Sequence, residues 1–554
     1  MSKNISFLTG RKGLETNLFD LLGKESQKTG TPSKENLKKL ADEFLIGAAN
    51  TYGSATFYDF MKPENKGKEV YICNGSVCLC AGTQDKLHQE LSKHIDVSKI
   101  GHMTCLGRCH ENSAFNYKGN NYSNLSKAEI KELFSTKFKQ KDKYKVASIG
   151  SAILTSPTGK NQSYYQLLDK MLSMEPKEVL EEIKSSQLKG RGGAGFPMGI
   201  KLDTAANTKA KTKFIICNAD EGDPGAYTDR YIMEERPHSL LLGMIIAGYA
   251  VGAKWGVLYI RGEYPESVEI IEKAISDLHS EGILPLGSNK HDFSFQFKVI
   301  KAQGAYICGE ETALISSIEG QRPEVRIRPP FPAVEGLFNM PTIVNNVETL
   351  ANVPYILKNG GNQFKTIGTS FSTGTKLVSL DSFFNRPGIY EVDMGTPMKT
   401  IIDDLGGGFK QTVKAIHIGG PLGGLVPVKK AYEMNLDYET FKNNGFLLGH
   451  ASFVSIPQEF PLVKYLQHLF EFTSFESCGK CFPCRLGSKR GSEMLEKSMN
   501  SDYKIDRELF NDLLDTLEQG SLCALGGGLP LPVRNALQYF DSELSQYFEA
   551  KVNY

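Results

Sequence analysis

Eleven cysteines gather near the two ends of this chain and leave its long middle almost bare. Five lie between Cys73 and Cys109, four between Cys478 and Cys523, and Cys217 and Cys308 stand apart. Met1 to Gly13 is polar and lacks the apolar core of an export signal, so thiolate chemistry is expected in place of disulfides. Cys478, Cys481 and Cys484 form C-x2-C-x2-C, with Cys523 as a distant fourth. Three thiolates in one loop can grip a face of a cubane that a fourth closes, whereas zinc usually takes two separate pairs. The triplet therefore favours a [4Fe–4S] cluster. Cys73 and Cys78 form C-x4-C and Cys105 and Cys109 form C-x3-C, with 26 residues between the pairs. Spacing alone leaves a [2Fe–2S] rhomb and a zinc site both open there. Cys80, Cys217 and Cys308 are read as small packing residues.

A length of 554 residues suggests three to five domains. The net charge of +1 gives no reason to expect nucleic acid or an acidic membrane surface as partner. The longest nearly uncharged apolar run, Leu240 to Ala253, is short of the ~20 residues a bilayer span needs and reads as a buried helix. A cytoplasmic protein is expected, without direct membrane insertion and with membrane contact only through a partner. Residues 1–65 read as a mostly polar segment with helical patches such as Asn36 to Ala49. Residues 66–136 read as a small α/β domain, with strands Lys68 to Cys73 and Ile100 to Thr104 leading into the cysteine loops and a helix over Ala81 to Ile95. Residues 137–145, rich in lysine, read as a linker. Residues 146–370 alternate strands (Lys213 to Cys217, Gly256 to Ile260, Phe297 to Lys301) with helices such as Ser267 to His279, as α/β layers do. Short strands with Gly/Pro turns fill 371–454, and 455–554 returns to helix.

Four loops of the 146–370 domain carry more polar tips than a scaffold needs. Lys189 to Lys201 holds five glycines, which let backbone N–H groups approach an anion, with Phe196 as a stacking face and Lys201 as a cation. Cys217 to Arg230 crowds four acidic residues beside Asn218, suited to sugar hydroxyls and a heterocycle edge. Gly304 to Gly320 runs from a glycine turn into a helix whose N-terminus could face a phosphate. Ile327 to Val353 is rich in proline and carries Asn345 and Asn346. A nicotinamide donates two electrons as hydride while clusters accept one at a time, so a nucleotide domain flanked by clusters implies a flavin between them.

On these motifs the chain resembles the flavin-bearing NADH-oxidising (51 kDa-type) subunit of respiratory complex I and its soluble relatives in NAD-linked hydrogenases, formate dehydrogenases and bifurcating hydrogenases. Its N-terminal part, with "TYGSATFY" and four cysteines, resembles the thioredoxin-like [2Fe–2S] subunit that accompanies it, here fused. The resemblance implies a multidomain α/β fold: an N-terminal helical segment, a thioredoxin-like [2Fe–2S] domain, a Rossmann-like FMN/NADH domain, a β-grasp-like (ubiquitin-like) domain and a C-terminal helical bundle with [4Fe–4S]. It implies FMN on Gly190, Gly192, Gly193, Lys201, Asn218, Asp220, Glu221, Tyr306, Gly309, Glu310, Glu311, Val344, Asn345, Asn346 and Thr349. It implies NADH near Phe196, Asp223, Glu311, Arg328 and Phe331. The [4Fe–4S] cluster would sit on Cys478, Cys481, Cys484 and Cys523 as the exit, and the [2Fe–2S] cluster on Cys73, Cys78, Cys105 and Cys109 as a side reservoir. No protein acid or base is required, only alignment of the two rings.

Three positions depart from the complex I pattern: Thr204 replaces a second aromatic for the adenine, Asp223 replaces Glu, and Arg328 replaces Lys. Glu235 to Pro265 looks closest to the bifurcating hydrogenase protein, yet no ferredoxin-like cysteines follow Cys523, which leaves bifurcation outside the expectation. The expected activity is NADH:acceptor oxidoreduction, reversible as NAD reduction, feeding a ferredoxin-like, hydrogenase, formate dehydrogenase or quinone-reducing module. NAD is expected over NADP because acidic pocket residues would repel an added phosphate. The competing readings are a freestanding diaphorase and a zinc-stapled nucleotide-binding module without redox role.

Overall fold

Three sheets organise the chain in its computed structural model, which describes residues 14, 18–29, 32–136, 138–141, 144–157, 161–286 and 292–549. The polar stretch Met1 to Gly13 and positions 137, 142 and 143 of the lysine-rich linker lie outside the described residues. The first sheet has strand order β2-β1-β3-β4. Its strands β1 (Val70–Cys73) and β2 (Ile100–Met103) run parallel, and β3 (Phe115–Tyr117) and β4 (Asn120–Tyr122) form a hairpin beside β1. Lys118 and Gly119 supply the two positive φ angles (48° and 81°) that this tight turn requires. This is the thioredoxin-like arrangement. The expected helix after the first cysteine loop starts earlier, at Ser76, and breaks at Gly82, whose φ of 61° ends one helix before Gln84–Leu91 begins. The Asn36 to Ala49 patch is likewise two helices, Lys34–Phe44 and Ala48–Ala55, separated where Leu45 turns left-handed.

The central sheet is wholly parallel: β6 (Phe214–Ala219), β7 (Trp255–Ile260), β8 (Gln296–Lys301) and β9 (Thr342–Asn346), in order β8-β7-β6-β9. Its strands β6, β7 and β9 are almost continuously buried, because helices cover both faces. One face packs on helix Pro237–Val251, buried from Ser239 onward, which explains its lack of a polar side. Gly243 in that helix lets the backbone of helix Val347–Asn359 come close, since a Cβ there would overlap Leu350 O. The other face is covered by helix Glu311–Ile318 together with the N-terminal segment: Leu18, Leu22, Phe44 and Tyr58 pack into one core with Ile216, Val257, Ile300 and Ile315. The polar-looking N-terminal segment is thus a layer of the central α/β domain.

The third sheet is mixed, in order β13-β12-β14-β10-β11-β5. Strands β10 (Thr375–Leu380), β11 (Gly388–Asp393), β12 (Val413–Ile418), β13 (Gly424–Pro427) and β14 (Ser452–Pro457) lie in the stretch read as β-grasp-like. Its sixth strand, β5 (Lys145–Ile149), comes from the junction between the lysine-rich linker and the large domain and pairs parallel with β11. Helices Leu462–Glu476, Ser488–Asn500, Arg507–Gly520 and Pro530–Tyr539 then form the C-terminal bundle. No helix among the described residues is long and apolar enough to cross a membrane.

Candidate functional site

The strand order of the central sheet reverses at one place. From β6 the chain steps outward to β7 and β8, then returns to place β9 on the opposite side of β6. Beyond the carboxyl ends of such a strand pair a crevice opens, because the two connections leave in opposite directions. The register sets Cys217 opposite Asn345 and Asn218 opposite Asn346, so four polar tips (Asn218, Asp220, Asn345 and Asn346) line that crevice. Asp220 is fully desolvated, which pushes its carboxyl well above the ordinary range against the pull of Arg261. Asp220 Oδ2 and Asn345 Nδ2 are buried and have no hydrogen-bond partner among the described residues. Buried polar atoms are rarely left so, and these two suit a ligand whose rim carries both donors and acceptors.

The glycine-rich loop closes over one side. Gly190 N–H donates to Phe196 O at 2.8 Å, and Gly193, at φ 131°, pairs with Gly449. The Arg191 side chain turns inward and is fully buried, with a guanidinium N–H on Thr373 O at 2.5 Å, while its backbone N–H donates to Thr349 Oγ1 at 2.8 Å. A Cβ on Gly192 would lie 2.9 Å from Asn346 Cβ, so only glycine lets the loop rest on the end of β9. Lys201 Nζ reaches Val344 O at 3.2 Å and Glu311 Oε2 at 3.1 Å. Gly190, Gly192, Gly193, Lys201, Val344, Asn345, Asn346 and Thr349 therefore meet in one place.

Acidic side chains line the opposite side. Glu221 accepts backbone N–H bonds from Asp229 (2.9 Å) and Arg230 (3.1 Å), and burial followed by the Asp229 charge pushes its carboxyl up to about 7. Tyr306 O–H donates to Asp223 Oδ1 at 2.7 Å, and Asn218 Nδ2 donates to Gly309 O at 2.8 Å. Glu310 accepts from Thr312 and Ala313 N–H, both at 2.9 Å, so the first N–H groups of helix Glu311–Ile318 are already capped by a carboxylate. The outer rim carries exposed Phe196 and Phe331. Lys201, Glu311 and Arg328 form a chain of ion pairs between their loops, with Arg328 Nη1 3.0 Å from Glu311 Oε1. Thr204 donates its hydroxyl to Ile200 O at 2.9 Å within its own helix and offers no stacking face.

Each cysteine quartet converges. Cys73 ends β1, Cys78 lies in helix Ser76–Ala81, and Cys105 and Cys109 follow β2. All four are buried, with Cys105 Sγ and Cys109 Sγ 3.4 Å apart. Backbone N–H groups point at three of the sulfurs: Gly75 at Cys73, Gly107 at Cys105 (both 3.4 Å) and Gly225 at Cys109 (3.2 Å). In the second quartet Cys478 follows the helix ending at Glu476, Cys481 and Cys484 open the next helical stretch, and Cys523 caps Ala524–Gly527. Burial pushes the Cys484 thiol up to about 11 and that of Cys523 up to about 12, the latter helped by the nearby charge of Glu310. Gathered buried thiols with N–H donors fit a cationic iron–sulfur core, which would neutralise thiolates that otherwise repel one another. Cys80, Cys217 and Cys308 are buried among apolar side chains.

Both quartets are bonded to the crevice. Gly225 belongs to the acidic loop, and Arg261 donates to Glu221 O (2.5 Å) and to Thr104 O (3.1 Å), next to Cys105. Tyr306 N–H donates to Glu476 Oε2 at 2.8 Å, two residues before Cys478, and Arg322 donates to Cys478 O at 3.2 Å. Sequence reasoning missed Arg261, Asp229, Glu476 and His450. Arg261 follows β7 directly, so its strand-end position was a usable signal, whereas nothing local marked His450.

Residues 183–355 match the Nuo51 FMN-binding domain, 464–547 the NADH-ubiquinone oxidoreductase-F iron-sulfur binding region, and 6–137 the thioredoxin-like [2Fe-2S] ferredoxin. The chain is 40% identical over 390 residues to the NADP-reducing hydrogenase subunit HndC of Solidesulfovibrio fructosivorans, spanning 70% of this chain and 79% of that one. It is 39% identical over 391 residues to the F 2 subunit of the NADH-quinone oxidoreductase of Rhizobium meliloti, spanning 70% and 93%. Identity to the NAD-reducing hydrogenase HoxS subunit alpha of Cupriavidus necator is 30% over 560 residues, spanning 95% and 91%. A crystal structure of NAD+-reducing [NiFe]-hydrogenase in the H2-reduced state is similar at a TM-score of 0.85 and 26% identity, over 97% of this chain and 93% of that chain.

Proposed function

The chain belongs to the family of flavin-bearing NADH-oxidising subunits of the complex I 51-kDa type and its hydrogenase relatives, fused to a thioredoxin-like [2Fe–2S] domain, and on that premise we propose how its own residues serve the reaction. It is an NADH:acceptor oxidoreductase that passes electrons by FMN and iron–sulfur clusters to a partner redox module. FMN, when bound, takes the hydride as a pair and releases electrons singly. Gly192 and Gly193 with their backbone N–H groups and Lys201 with its ammonium would hold its phosphate, while Gly190, tied to Phe196 O, would set the shape of the loop. Asn218, Asp220, Glu221, Val344, Asn345, Asn346 and Thr349 would hold its ring edge and sugar chain, with Tyr306, Gly309, Glu310 and Glu311 closing the cluster side. Phe196 and Phe331 would flank NADH, with Asp223, Glu311 and Arg328 binding its polar parts. None of these residues needs to move a proton; their task is alignment and exclusion of water.

The observation that carries this reading is that one crevice is hydrogen-bonded to both cysteine quartets, through Gly225 to Cys109 and through Tyr306 and Glu476 to the Cys478 loop. The Cys478, Cys481, Cys484 and Cys523 cluster would be the exit, since its quartet is partly exposed, and the Cys73, Cys78, Cys105 and Cys109 cluster a side reservoir. Because the fused arrangement extends over nearly the whole hydrogenase relative, we favour a hydrogenase-type module as partner. An anaerobic preparation reconstituted with FMN, iron and sulfide should lose its flavin and cluster absorbance as NADH is added. A colourless preparation that holds zinc would overturn the reading. Acidic Glu221 and Asp223 should also repel an added ribose phosphate, lowering kcat/KM for NADPH by about tenfold or more relative to NADH. Faster turnover with NADPH would refute that preference.

A further inference from the structure

Beside the crevice lies a buried cluster that hydride transfer does not use. Glu221, Asp229 and His450 each bring one side-chain atom within 4.8 Å of the others, and all three are buried. His450 lies in the turn that leads into β14, next to Gly449, which pairs with Gly193 of the glycine-rich loop. His450 Nε2 lies 3.3 Å from Asp229 Oδ2 and 3.7 Å from Glu221 Oε1. Asp229 Oδ2 also accepts from Asn346 Nδ2 at 2.6 Å. Three separate parts of the chain thus meet on one carboxylate oxygen.

The charges around His450 decide its state. Asp229 faces it from helix Thr228–Glu235, Glu221 and Asp223 from the acidic loop, and Lys376 from β10. Lys376 is paired with Glu348, and Arg261, whose charge also reaches Asp223, is paired with Glu263. Both Glu221 oxygens accept backbone N–H bonds and Asp229 Oδ2 is shared by two donors, which leaves Asp229 Oδ1 as the one carboxylate oxygen of the three-residue cluster without a partner among the described residues. A protonated imidazole puts its Nε2–H on Asp229 Oδ2 and its charge between two buried carboxylates, while Nδ1 has no partner among the described residues.

We propose that His450 is a cationic positioning residue of the flavin cradle: its Nε2–H holds Asp229 on Asn346 and its positive charge offsets Glu221, so that flavin is held most tightly while His450 carries that charge. This rests on the assignment of Asn346 and Glu221 to FMN. Burial opposes the charged form, but the Asp229 charge and hydrogen bond win and raise His450 from 6.5 to about 9. A histidine raised on folding stabilises the fold fully below its unfolded value and loses that contribution as pH rises through about 9. Glu221 ionises as pH passes about 7, which increases the need for a cation at His450 before that cation is lost.

The test is the FMN dissociation constant of the iron-loaded chain, read from recovery of free FMN fluorescence at about pH 6.5 and about pH 10, on either side of the His450 transition. Wild type should bind about tenfold or more weakly at the higher pH, the equivalent of one charge-assisted hydrogen bond. His450→Gln should already bind that weakly at the lower pH and show no further change, whereas His450→Lys should move the break to higher pH. Asp229→Asn, which removes the carboxylate His450 holds, should flatten the wild-type profile too. Equal wild-type affinity at both pH values, or a His450→Gln profile like that of wild type, would overturn the proposal. So would a stoichiometric divalent metal other than iron that His450→Gln releases. Wild type that binds no FMN even at the lower pH would bring down the flavin assignment itself, and this inference with it.

Discussion

The two cysteine quartets use the same ligand chemistry in opposite surroundings. Cys73, Cys78, Cys105 and Cys109 are sealed, and one of their N–H donors, Gly225, comes from the loop that holds Asp223. In the other quartet Cys481 and Cys523 are partly open, and Phe475 (68% exposed) and Phe482 (67%) stand beside the loop. A cluster site that adjoins the crevice is placed to exchange electrons with what binds there, whereas one that reaches the surface is also placed to pass them to another protein. The difference supports storage at one and exit at the other.

Arg261 is the sharpest place to break the contrast, because it joins the sealed quartet to the acidic loop and pairs with Glu263 at 2.7 Å, both nearly fully buried. Arg261→Ala leaves a buried carboxylate unpaired and should cost about 3–5 kcal/mol in denaturant unfolding, with early loss of [2Fe–2S] absorbance. Retained stability would mean that the two domains do not depend on this joint. Next in size, Cys481→Ser should lower electron delivery to the partner by more than the roughly 100-fold that loss of a supporting hydrogen bond causes at metal sites. The [2Fe–2S] electron-resonance signal should survive it; joint loss of both clusters would end the division of labour. The smallest effects separate packing from exposure. Gly225 sits at φ 96° with Val454 and Ser452 against it, so Gly225→Ala should destabilise by about 1–3 kcal/mol. Phe482→Ala on the open rim should stay within about 0.5 kcal/mol. Equal costs would erase the distinction between sealed and open.

Local chemistry makes much of this legible in the sequence. Cysteine spacing is a property of a few adjacent residues, so both quartets can be read, although spacing leaves iron and zinc open for the first one. The strands of the parallel sheet and the helix Pro237–Val251 stand out because burial on all sides selects unbroken apolar runs. The polar tips Asn218, Asp220, Asn345 and Asn346 are visible as strand ends, and the resemblance supplies the roles expected of them. The helix expected over Ala81 to Ile95 has other bounds because a single glycine in the left-handed region, Gly82, ends one helix and separates it from the next.

What the sequence determined by itself is therefore the two cysteine groupings, the alternation of layers and the glycine-rich loop, each written within a short stretch of chain. Only the tertiary structure decided that β5 joins the mixed sheet, that the N-terminal helices cover the central one, and that His450 meets Asp229 from 221 positions away. Strand pairing and buried charge contacts depend on which surfaces close the core, and no stretch of chain encodes the partner it will meet.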